Sequence, residues 1–202
     1  MARQLAASSS PATLALAVIG ILGGAVLLAA FVVDIPSDLN TLRLVLFNAG
    51  AIAIVVGVHR RQAATAPLLA LLGAVPALVA NAWYLAMTIL AIGRPEPFAG
   101  DLGLVYFLAG VAMWLADAAF GLVTLRLGVV RRWGALALAV GSVVAVTGID
   151  RLGLTSGANP TIFGPLALAG VALNGIGWIL LGLDLATRFT GLETRVHRLT
   201  AT

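Results

Sequence analysis

Apolar runs of about 20 residues, separated by short polar breaks, divide the chain near 12–33, 40–58, 67–92, 102–125, 133–149 and 163–186. An α-helix of that length crosses a hydrocarbon core about 30 Å thick, because each residue adds about 1.5 Å. The pattern predicts an all-α polytopic membrane protein: one bundle of six transmembrane helices over residues 1–202, with a short basic tail at 187–202. Helix-start chemistry marks several breaks. Ser10 precedes Pro11, Thr65 precedes Pro67 and Asp101 precedes the fourth run. The fifth run is the shortest, with the 16 residues 134–149 reaching about 24 Å, so it needs Trp133 and Leu152 to meet both surfaces.

Arginines in the breaks predict the orientation. Arg3, Arg60, Arg61, Arg126, Arg131, Arg132, Arg188, Arg195 and Arg198 belong to one side, and Arg43, Arg94 and Arg151 to the other. Positively charged segments stay in the cytoplasm, so both termini are expected there. The first apolar run is longer than the roughly 7–15 residues of a cleavable signal and ends without an A-x-A site, which predicts a retained signal anchor.

Composition removes the competing classes. The chain is 61% hydrophobic and 10% charged, where a soluble domain has about 45–50% and about 25%. A formal charge of +4 in a soluble protein would raise nucleic acid as a partner, but here it separates by topology. The cytoplasmic segments carry about +8, the opposite connections −2 and the spans −2, from Asp117 and Asp184. The basic excess is therefore a topology signal, and the expected partner is the lipid bilayer rather than nucleic acid. With no cysteine, and with His59 and His197 at the ends of apolar segments, no metal or cofactor is expected. A bacterial inner membrane is the expected setting.

Ionisable groups inside spans are costly, so they are the first place to look for chemistry. Asp117 lies nine residues from Arg126, about 13 Å along the helix and near the bilayer centre. Asn81 and Asn174 fall at similar depth on the third and sixth spans. Trp83, Trp114 and Trp178 also sit well inside their spans, whereas tryptophan usually marks the interface, as Trp133 does. Trp114 with Asp117, Asn81 with Tyr84, and Asn174 with Trp178 are three or four residues apart, so each pair shares a helix face. These residues form a candidate pocket for a proton or an organic cation, the first taken by titration and the second by charge and cation–π attraction. The competing structural role is helix–helix hydrogen bonding.

Other features have ordinary explanations. Asp184 has Arg188 at i+4, the pattern of a solvated helix end, and Arg43 is placed to snorkel to headgroups. Arg188, Arg195 and Arg198 on the amphipathic tail, with Arg131 and Arg132, are candidates for lipid headgroup contact. Arg94-Pro95-Glu96-Pro97 reads as a stiff turn. Gly20 and Gly24, with Gly170, Gly175, Gly177 and Gly182, allow close helix approach, and Pro76 is expected to bend the third span. Ala-Gly pairs recur at 49–50, 109–110 and 169–170, as three hairpins of one design would give; chance in an Ala- and Gly-rich chain is the alternative.

No nucleophile motif, HExxH, Walker loop or convergent acid–base set is present, so a non-enzymatic protein is expected. The pocket points to binding or transport of a small molecule or proton, with a homodimer supplying a pathway if six spans do not suffice. The alternative is a structural or accessory subunit of a larger membrane complex.

Overall fold

The computed structural model describes residues 11–29, 31, 37–92, 100–148 and 165–200, with the side chains of 37, 38, 100 and 188–200 excluded. They form six helices: α1 (Pro11–Ala29), α2 (Ser37–Gln62), α3 (Pro67–Leu90), α4 (Gly100–Leu127), α5 (Arg132–Thr147) and α6 (Pro165–Thr200). Five are long and apolar enough to cross a membrane, and α5, at 16 residues, is the exception. The Arg94–Pro97 turn and the breaks bearing Arg3 and Arg151 lie outside the described residues, as do the side chains of Arg188, Arg195 and Arg198. Backbone helix nevertheless runs unbroken from the sixth apolar run through the basic tail to Thr200.

Prolines begin α1, α3 and α6, where the missing N–H has no partner to lose and φ already suits a helix. The N-cap of α3 is Ala66 without a side-chain bond, not Thr65, whose own N–H closes a turn onto the Gln62 carbonyl. Pro76 lies within α3 on its exposed side, and helix is assigned on both sides of it.

Each helix packs on its neighbours in sequence, and α6 returns to α1, closing a ring of six. Neighbours run antiparallel. Gly23 meets Gly50 while Gly20 meets Ile54, and Gly134 meets Leu181 while Gly148 meets Ala167. The centre of the ring is filled by large side chains, chiefly Phe47, Ile54, Met113, Phe120 and Trp178. Outside, Leu22, Leu68, Leu72, Val79, Leu115 and Leu122 are all more than half exposed. Apolar groups outside and polar groups inside suit hydrocarbon as the solvent, where helices associate through close packing and hydrogen bonds.

The recurring Ala-Gly pairs take equivalent places in the three sequential hairpins. Gly50 of α2 abuts Gly23 of α1, Gly110 of α4 abuts Tyr84 of α3, and Gly170 of α6 abuts Ala145 of α5. Further along the same helices, Ile54, Trp114 and Asn174 stand 60 residues apart and are all buried. The interval thus has a packing basis: every even-numbered helix presents a glycine to the helix before it.

Gly128, just past the end of α4, has φ +62° with open space where a Cβ would stand. Gly128→Ala is therefore expected to cost only the backbone penalty of the left-handed region, about 1–2 kcal/mol. A small fall in the thermal unfolding midpoint in detergent would show it.

Candidate functional site

Four helices bring polar side chains to one place in the bundle. Asn81 of α3 donates from Nδ2 to Oδ1 of Asp117 on α4 (2.8 Å) and to its own helix at the Ala77 carbonyl (2.9 Å). Asn174 of α6 adjoins the same carboxylate and donates from Nδ2 to Ser142 Oγ of α5 (2.9 Å). Ser142 in turn donates to the Leu138 carbonyl (2.8 Å). Asn81, Asp117, Ser142 and Asn174 are all fully buried. Local helix geometry explains why each points inward: Asn174 follows Gly170 by one turn on the α5-facing side, and Asp117 follows Trp114 by three residues on the inner side of α4.

Several polar atoms of these side chains and of Trp178 lack a hydrogen-bond partner among the described residues. They are Asp117 Oδ2, Asn81 Oδ1, Asn174 Oδ1 and the Trp178 indole Nε1. Among the described residues no arginine pairs with Asp117; an ion pair is found elsewhere, between Arg131 and Asp184. Trp178 is buried and stacks on Phe120, with ring centroids 6.1 Å apart, and Trp114 is nearly buried. A fully buried carboxylate oxygen without a partner among the described residues is a site of excess negative potential.

Two sequence candidates lie elsewhere. Trp83 is 40% exposed on the outside of α3. Two residues along a helix is a rotation of about 200°, so Trp83 faces away from Asn81. Tyr84 is half-buried and belongs to a separate cluster: its hydroxyl meets that of Tyr106 at 2.6 Å, and Thr88 donates to its carbonyl at 2.8 Å. Arg43 lies in the field of both tyrosines, partly buried, with its Nε unpaired.

A third cluster stands at the arginine-rich end. Gln62 donates to Thr124 Oγ1 at 2.9 Å, both residues fully buried, and Arg61 donates to the Leu185 carbonyl at 2.9 Å. Asp184 is not a solvated helix-end acid. Its side chain is 1% exposed, and Arg131, itself 76% exposed, approaches it to 3.5 Å. The short α4–α5 connection carries Arg131 to the side of α6 at Asp184, a proximity that spacing along α6 does not reveal. Arg132 and Trp133 are exposed beside it.

Ser142, Phe120, Gln62, Thr124 and Tyr106 were not singled out by sequence reasoning. Ser142 had a signal, being the lone hydroxyl within an otherwise apolar stretch of α5, 135–146. Comparison with protein-family models, with curated proteins and with solved structures finds no match to this chain.

Proposed function

We propose that the chain is a six-span protein of a bacterial cytoplasmic membrane, with both termini in the cytoplasm, that binds a proton at Asp117 and moves it through the bundle. The nine-to-three distribution of arginine supports the orientation. The alternation of six antiparallel helices supports α5 as a sixth, short span, since it completes the ring between α4 and α6.

One observation carries the functional reading: Asp117 is fully buried at mid-span with Oδ1 bonded to Asn81, the Asn174 amide beside the carboxylate, and Oδ2 without a hydrogen-bond partner among the described residues. An uncompensated carboxylate in such surroundings costs several kcal/mol. Gaining a proton removes that cost, and losing it to a wet side restores the acceptor. The tyrosine–threonine cluster and the glutamine–threonine cluster stand on either side of this point along α4, as Tyr106, Asp117 and Thr124. Polar groups thus occupy three levels of an otherwise apolar interior. Met113, Trp114, Phe120 and Trp178 fill the surroundings, which favours the proton over a bulky organic cation.

The test is proton flux into proteoliposomes with a trapped pH dye, driven by a potassium diffusion potential. Wild-type protein is expected to conduct above protein-free vesicles, and Asp117→Asn to return the rate to that baseline. Equal flux for the two proteins, or wild-type flux no greater than that of empty vesicles, would overturn the reading.

A further inference from the structure

The proposed site has more acceptors than a proton can satisfy. Among the described residues three buried oxygens, Asp117 Oδ2, Asn81 Oδ1 and Asn174 Oδ1, have no hydrogen-bond partner, and Trp178, one turn beyond Asn174, has an unpaired donor in Nε1. The amide orientations are fixed by their other bonds. Turning Asn81 over would set its oxygen against both the Asp117 carboxylate and the Ala77 carbonyl. Asn174 is held likewise, because the Ser142 proton is committed to the Leu138 carbonyl and Ser142 must accept from the Asn174 nitrogen. A proton on Asp117 Oδ2 gives one new donor and so serves one amide oxygen. The remaining amide oxygen then depends on Trp178, whose ring is stacked on Phe120.

We infer that this cluster is also a binding site for a dehydrated monovalent alkali cation, held by Asp117 Oδ2 with the amide oxygens of Asn81 and Asn174. A cation satisfies several acceptors at once. The unpartnered acceptors are all oxygen, which selects hard cations over transition metals. One carboxylate supplies a single negative charge, so a monovalent ion leaves the site neutral, whereas a divalent ion would leave a positive charge in the dry interior. Carbonyl oxygens at mid-membrane replace a hydration shell in the same manner. Ser142 is a positioning residue that orients the Asn174 amide. This inference rests on Asp117 being the cation-binding group, and it makes proton and alkali ion competitors for one carboxylate.

Titration of the purified full-length protein in detergent with sodium chloride, against choline chloride at equal ionic strength and pH, tests it. Trp114 and Trp178 report by fluorescence. Sodium is expected to give a saturable change that choline does not, and to raise the wild-type thermal unfolding midpoint. Asp117→Asn should weaken the apparent affinity by at least about 100-fold, and Ser142→Ala by roughly 10-fold through the displaced Asn174. Identical wild-type responses to the two salts, in both fluorescence and unfolding, would overturn the inference whether or not any variant folds. So would a sodium response that Asp117→Asn retains. If proton flux still depends on Asp117 while sodium and choline are indistinguishable, the alkali-cation site falls and the proton reading stands.

Discussion

Asn81→Leu is expected to destabilise the bundle by about 3–5 kcal/mol, and adding Asp117→Leu to recover most of that loss. The single change removes the donor to Asp117 Oδ1, while Oδ2 has no partner among the described residues, and so leaves the fully buried carboxylate with only the Asn174 amide beside it. The double change replaces both polar groups by apolar ones of comparable size, and such replacements of buried polar pairs are often neutral or stabilising. A double-mutant cycle measured by reversible unfolding in detergent would therefore give strong coupling between the two sites. If the pair were merely the glue of the bundle, the double mutant would keep its activity as well as its fold. On the proposed function it regains stability and still fails to move protons. Equal stability of Asn81→Leu and wild type would show that the 2.8 Å contact contributes little to the fold.

Gly170→Val is expected to cost about 3 kcal/mol or more, toward the upper limit for overpacking. A Cβ at Gly170 would stand 2.6 Å from Ala145 Cα and 2.7 Å from the Gly141 carbonyl oxygen. These are backbone atoms of α5 and cannot rotate aside as a side chain does. The two helices would have to separate, and with them Ser142 and Asn174, which are bonded across the same interface at 2.9 Å. Both fold and site should suffer, seen as a lowered unfolding midpoint and loss of flux together. Leu168→Val, on the exposed side of the same helix, serves as the control and should leave both nearly unchanged. A Gly170→Val protein as stable as the control would mean that α5 and α6 do not pack this closely.

Hydropathy made the helices legible. All six apolar runs became helices: the second runs to Gln62 rather than near 58, the third ends at Leu90 rather than near 92, and the sixth continues through the basic tail to Thr200 rather than ending near 186. Depth was legible too, since rise along a helix is constant, and Asn81 and Asn174 both adjoin Asp117. Direction around the helix was legible in principle. Trp83 was grouped with Asn81 by depth alone, although a two-residue offset turns it to the opposite side.

Composition, run length and arginine placement by themselves determined that this chain is an assembly of apolar helices and that Asp117 lies deep within one of them, because both follow from periodicity and from the cost of charge in hydrocarbon. Only the tertiary structure decided which side chains meet. Asp184 with Arg131, Gln62 with Thr124, Tyr84 with Tyr106, and Asn174 with Ser142 are pairings between different helices. The order of helices around the ring and the glycine contacts that set their spacing select those partners, and neither is encoded in any single run. The same packing left Asp117 Oδ2 without a hydrogen-bond partner among the described residues, a property of four helices together that no one of them carries alone.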